Sequence, residues 1–147
     1  MYSKAPYFKR YRTFLDYIYT EKKWDRLSEL NQFINEYVAK DLLGISATFK
    51  NSNEFEVEGR KLDRLVNLLK KVSADVYVSG PSANNYIEVS KFEEAGIELV
   101  YKDYNSYPEY SQFYPPFDHY VSIFDLLFHT GLDASYFIWG WREDSRS

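Results

Sequence analysis

Val76-Tyr77-Val78-Ser79-Gly80-Pro81-Ser82-Ala83-Asn84-Asn85-Tyr86 is the stretch on which the fold turns. Its first three residues read as a short apolar strand. Ser79-Gly80-Pro81 stops that strand, and the amide-rich Asn84-Asn85-Tyr86 opens a helix expected to run to about Ala95. Gly96 ends the helix, and a second strand is expected at Ile97–Tyr101. In α/β proteins, a strand that ends in such a turn and enters a helix aims backbone N–H groups at the crevice beyond the strand ends. Ser79, Gly80, Pro81, Ser82, Asn85 and Tyr86 are therefore candidate ligand contacts. Gly80 is expected to allow close backbone approach and to favour positive φ. The hydroxyls of Ser79 and Ser82 suit anionic oxygens, and either suits a helix cap equally well.

Upstream, Tyr7, Tyr11, Phe14, Leu15 and Ile18 recur at helical spacing and predict a helix over Tyr7–Thr20. Leu27, Leu30, Ile34, Val38 and Leu42 predict a second over Trp24–Leu43, with Gly44 as its stop. Ile45–Lys50 alternates as a strand, and Leu62, Leu65, Leu69 and Val72 mark a helix over Lys61–Val72. The order strand, helix, strand, helix, strand with short links predicts right-handed parallel crossovers. The expected class is α/β: a small parallel sheet of about three strands with helices on its faces, preceded by two amphipathic helices. No linker or repeat divides the chain. One domain is expected over 1–147, with a helical lead at 1–44, a strand–helix core at 45–131, and a C-terminal helix and tail at 132–147.

Downstream, Tyr101–Tyr120 reads as a long loop in which Tyr101, Tyr104, Tyr107, Tyr110 and Phe113 recur every third residue. Such a loop either lines a site or straps rings over the sheet. On the first reading Tyr104, Tyr110 and Gln112 form one wall, and the ligand lies between this loop and Ser79–Tyr86. An apolar helix is expected over Val121–Phe128, and Asp133 suits the N-cap of a last one. Asp125 sits inside the apolar helix, with Ser122 three residues before it on the same face. A buried carboxylate must be paired or hydrogen-bonded, so Asp125 is either a group aimed into a cleft or an anchor for loop donors. His119 and His129 are the only histidines, and either is a candidate general base. His119 follows Asp118 in the aromatic loop and is the stronger candidate. A lone His on an apolar helix, as at position 129, is usually satisfied or exposed.

The 147 residues suit one domain, with 45% hydrophobic and 20% aromatic residues and a net charge of −4. That charge argues against nucleic acid as a partner. The chain has no Cys, which excludes a disulfide framework and a Cys-based metal site. Two histidines without a fixed carboxylate spacing make no metal site. There is no signal-peptide pattern and no apolar run long enough for membrane insertion, so a cytoplasmic location is expected. No Walker loop, dinucleotide-binding glycine triplet or nucleophile elbow occurs. No cofactor is implied.

Several segments occur together in an order that resembles the WbqC-like family of bacterial polysaccharide-cluster proteins. They are Lys4-Ala5-Pro6-Tyr7-Phe8, Leu43-Gly44-Ile45, Glu58-Gly59-Arg60-Lys61 with Arg64-Leu65, and Tyr77–Ala83 with Tyr86. Phe92, Gly96-Ile97, Tyr101, Tyr107-Pro108, Tyr110 and Gln112 follow, and Ser122–Phe128 with Gly131 closes the set. The resemblance runs from about Ala5 to Gly131. It implies a cytoplasmic step in O-antigen or related surface-polysaccharide biosynthesis, acting on a sugar nucleotide or activated sugar, with a group-transfer role such as adding glycine to a sugar. Two departures stand out. Leu62 replaces a usual Ser or Thr, and the chain matches only the central and C-terminal part of the family pattern. The alternatives are a non-catalytic accessory protein and a truncated remnant. A homo-oligomer or a partner chain is expected to cover the apolar surface that a missing part would leave.

Overall fold

A computed structural model describes residues 2–85 and 87–144. In chain order the elements are a 3-10 turn at Tyr2–Lys4, helices α1 (Phe8–Asp16) and α2 (Leu27–Tyr37), and helix α3 (Lys61–Lys71). Strand β1 (Val76–Ser79), helix α4 (Val89–Glu94), strand β2 (Glu98–Tyr101), and helices α5 (Ile123–Thr130) and α6 (Trp141–Asp144) complete the set. The backbone divides into two compact units, one joining Met1–Thr48 to Ser106–Ser147 and the other spanning Phe49–Asn105.

In the first unit, α1 and α2 each end in a wide π turn, at Tyr17–Glu21 and Val38–Leu42. Helix α2 starts at Leu27 rather than at Trp24. The reason is local: the Trp24 indole donates to the Ile18 carbonyl at 2.9 Å, so Trp24 closes the preceding turn instead of opening a helix. Tyr11, Phe14 and Ile18 pack with Val38 and with Leu126–Phe128 of α5. Phe14 and Tyr37 stack at 4.2 Å, and Leu127 is fully buried. The start of α1 docks on the end of α5, where the Tyr7 amide donates to the Phe128 carbonyl at 2.9 Å. Gly131 makes that approach feasible. Its φ is +60°, and a Cβ there would lie 2.6 Å from the Tyr7 ring. Asp133 does not begin the last helical stretch as a cap. It ends a 3-10 turn, Gly131–Asp133, that is already helical where it meets Ala134.

The second unit carries the sheet. β1 and β2 pair in parallel, with Val76 opposite Glu98 and Ser79 opposite Tyr101. The chain is thus α/β in class, with a two-stranded, all-parallel sheet among the described residues. The third strand expected at Ile45–Lys50 does not form. Ile45 is half-buried but Ala47 and Phe49 are exposed, so the alternation presents no apolar face to bury, and it joins no ladder among the described residues. On the inner face Tyr77 stacks on the fully buried Phe92 at 5.6 Å, beside Val66 and Ile97. On the other face Val76, Val78 and Val100 stay exposed. The helix expected from Tyr86 begins only at Val89. Pro81–Asn85 forms a 3-10 turn instead, as suits Ser and Asn side chains that compete with helix formation. Tyr86 lies outside the described residues. Among the described residues, no helix is long and apolar enough to cross a membrane.

Candidate functional site

Asp125 stands in the first turn of α5, where the helix dipole favours a carboxylate. It is buried, and its charge is met by donors from the aromatic loop. Tyr110 Oη donates to Asp125 Oδ2 at 2.7 Å, and Gln112 Nε2 donates to the same oxygen at 3.0 Å. The Gln112 amide also clamps the loop. Its Nε2 reaches the Asp118 carbonyl, and its Oε1 accepts from the Asp118 amide, both at 2.9 Å. Asp118 Oδ1 in turn accepts from the Tyr120 amide at 2.8 Å. A segment without regular secondary structure is thereby tied to a helix through one carboxylate. Burial, and then the bond to Asp125, hold the Tyr110 hydroxyl well above the ordinary tyrosine range. Tyr2 meets the same carboxylate from the N-terminal turn, and its pKa is raised by burial first and by its hydrogen bond to Asp125 second.

One turn further along α5, His129 Nδ1 lies 2.8 Å from the Asp125 carbonyl oxygen and 3.5 Å from its carboxylate Oδ1. The imidazole side chain is 4% exposed. Its Nε2 is buried with no partner among the described residues. An unpaired buried polar atom of this kind costs about 1–3 kcal/mol. Asp125 and His129 line a cavity of about 460 Å³, together with Tyr2, Gln112, Phe113 and Phe117. This is a common size for small-molecule sites, and the mix of rings with a few convergent polar groups is their usual chemistry.

The candidates named from the sequence divide between the two units. Tyr110, Gln112 and Asp125 are joined by hydrogen bonds in the first. Ser122 precedes α5 there, with its side chain exposed and making no cap bond. His119 is exposed and lies edge-on to the Phe117 ring at 4.7 Å. Ser79, Gly80, Pro81, Ser82, Asn85 and Tyr104 belong to the second unit. Ser79 is buried, whereas Pro81, Ser82, Asn85 and Tyr104 are exposed. Opposite Ser79 in the sheet, Tyr101 has a buried hydroxyl with no partner among the described residues. Gly80 differs from expectation. Its φ is not in the left-handed region, and a Cβ there would meet nothing within 4 Å. The turn therefore forms without needing glycine. Among the described residues, no group of three or more His, Asp or Glu side chains is placed to hold a metal ion.

The profile of the WbqC-like protein family matches residues 1–136. The chain belongs to that family. The match covers more of the chain than the span from Ala5 to Gly131 that the motifs alone indicated, and it takes in Tyr2. An uncharacterised protein of Mycobacterium tuberculosis is 38% identical over 133 residues. That alignment covers 90% of this chain and 57% of the mycobacterial protein, so the chain spans little more than half the length of this curated relative. No solved structure matches. Within this WbqC-like chain, the closing motif Ser122–Phe128 builds the start of α5 and supplies Asp125, and Tyr110 and Gln112 supply its donors. His129 and Tyr2 join the same cluster, although the sequence reading gave neither a leading role. One signal for His129 was available, since residues four apart share a helix face. Tyr2 has no local signal; folding alone brings it to α5.

Proposed function

We propose that this WbqC-like chain binds an activated sugar, such as a sugar nucleotide, in a cytoplasmic step of bacterial surface-polysaccharide biosynthesis, and that group transfer to or from that sugar is its reaction. One observation carries the reading: a buried carboxylate, organised by Tyr110 and Gln112, in an aromatic-lined cavity of about 460 Å³. Flat rings suit the C–H faces of a sugar, and convergent polar groups suit its hydroxyls. Asp125 acts by holding Tyr110 and Gln112 in place and by setting the electrostatics around His129. Ser79, Gly80, Pro81, Ser82 and Asn85 are proposed contacts for anionic or hydroxyl groups at the carboxyl ends of β1 and β2. The O-antigen setting and the transferase reaction follow from the family resemblance.

Thermal shift with UDP-, GDP-, dTDP- and CMP-sugars tests the binding. A sugar nucleotide at a hundred times its Kd should stabilise the chain by about 2.7 kcal/mol. Asp125→Asn, which keeps the size of the side chain but removes its charge, should abolish most of that stabilisation. Absence of any shift across the panel at millimolar concentration would refute the reading.

A further inference from the structure

We propose that His129 Nε2 is the open hydrogen-bond acceptor of this cavity, taking a bond from a hydroxyl or N–H group of the bound ligand; the assignment of that ligand as a sugar rests on the reading above. The tautomer follows from geometry. Nδ1 lies 2.8 Å from the Asp125 carbonyl oxygen, which can only accept, so Nδ1 carries the hydrogen. In the neutral ring Nε2 is then a lone pair. That atom is buried and has no partner among the described residues, on a side chain 4% exposed that lines the cavity. A ligand in the cavity reaches it as the partly exposed Phe113 ring, edge-on to the imidazole, turns aside.

The neighbouring donors are already committed. Tyr110 Oη gives its hydrogen to Asp125, and Gln112 Nε2 serves Asp125 and the Asp118 carbonyl. Phe113, edge-on to the imidazole at 4.7 Å, offers no polar hydrogen. The site thus has its acceptor fixed in one tautomer by the backbone and flanked by a carboxylate 3.5 Å from Nδ1. It selects ligands that bring a donor. A ligand presenting only acceptors at this point, such as a phosphate oxygen or an ether, would face lone pair against lone pair.

The test is side-chain ¹⁵N NMR of the full chain, which has only two histidines. The ligand-free protein should show His129 as the Nδ1–H tautomer. Saturating UDP-glucose should move the Nε2 resonance of His129 and leave His119 unchanged. His129→Gln puts an amide oxygen near the Nε2 position and should retain binding. His129→Asn keeps a donor near the Nδ1 position without that acceptor and should weaken binding about tenfold, the scale of one hydrogen bond. An Nε2–H tautomer, or equal binding by the two variants, would overturn the assignment. If His129→Asn does not fold, the wild-type spectra decide. Failure of every UDP-, GDP-, dTDP- and CMP-sugar of the panel to bind the wild type would instead remove the sugar reading, and glycerol titration then decides His129 alone. Movement of its Nε2 resonance supports the open acceptor, and an unmoved resonance refutes it.

Discussion

Tyr110→Phe isolates the bond on which the aromatic loop depends. The substitution keeps the ring against Phe117 and Phe137, at 5.0 and 5.6 Å, and opens no cavity. It removes the 2.7 Å bond to Asp125 Oδ2, which keeps Gln112 as a donor, and a long 3.5 Å contact that Tyr110 Oη accepts from Gln112 Nε2. A hydrogen bond to a charged group is worth about 1.5–3 kcal/mol. At about 2–4 °C per kcal/mol for a chain of this size, Tm should fall by about 3–12 °C. Denaturant unfolding at neutral pH gives the gap directly.

The same pair carries a pH signature. Tyr110 holds its proton more tightly folded than unfolded, because burial and the bond to Asp125 raise its pKa above 10.0. Below that value the phenol is neutral in both states and the wild type keeps its full advantage over Tyr110→Phe. Above it, the unfolded phenol ionises while the folded one does not. The unfolded wild type gains, and the gap narrows by up to about 1.4 kcal/mol per pH unit. Tyr2 and Tyr11 are raised as well, but both proteins share them, so they largely cancel in the difference. A gap below about 0.5 kcal/mol at pH 7, the range of ordinary surface changes, would show that the bond contributes nothing. A gap that stays constant or widens above pH 10 would show that folding does not hold this phenol neutral.

Two glycines should behave in opposite ways. Gly131→Ala places a Cβ 2.6 Å from the Tyr7 ring at a φ of +60°; strain and overpacking together should destabilise the chain by about 2–4 kcal/mol, measured by denaturant unfolding. Gly80→Val meets open space, so stability should stay within about 0.5 kcal/mol of wild type. Its effect on UDP-glucose affinity, by calorimetry, then reports directly on the turn: weakened binding places Gly80 beside the ligand, and unchanged affinity removes the turn from the site.

What the sequence revealed depended on how local each cause was. β1 was legible because Val76-Tyr77-Val78 is apolar and its stop is adjacent. Helix α5 was legible because its residues up to Phe128 are apolar but for Asp125 and a glycine follows soon after. Asp125 stood out because a carboxylate inside such a run needs partners, and the loop that supplies them was visible as a row of rings. The failures needed information held elsewhere in the chain. Ile45–Lys50 alternates like a strand, but a strand exists only where a neighbouring edge accepts it. Trp24 carries helical periodicity into a position where its indole is used to cap the turn before it. Gly80 stands between Ser79 and Pro81 as a turn glycine would, yet its φ imposes no demand for glycine. His129 ranks below His119 as a candidate base in the sequence because a lone imidazole on an apolar helix is ordinarily satisfied. Its significance comes from the Asp125 carbonyl taking Nδ1 while the Tyr110 and Gln112 donors are committed to other acceptors.

The unpaired atoms deserve a physical reason, since folding alone supplies none. A buried polar atom without a partner costs about 1–3 kcal/mol, a sizeable share of the roughly 5–15 kcal/mol that hold an average domain folded. Phenylalanine at position 101 would fill the space of Tyr101 without leaving a hydroxyl unmet, and an apolar side chain at 129 would pack against Phe113 without an idle lone pair. The chain carries the polar group in both places. One lies opposite Ser79 where the parallel strands end, and the other lines the cavity beside the one buried carboxylate of the described residues. Neither position is arbitrary. Strand ends in α/β sheets, and ring-lined cavities with convergent polar groups, are where proteins commonly bind small molecules. Under the proposed reading, the local departure from the most stable choice at these places is stability given up where a ligand supplies the missing partner.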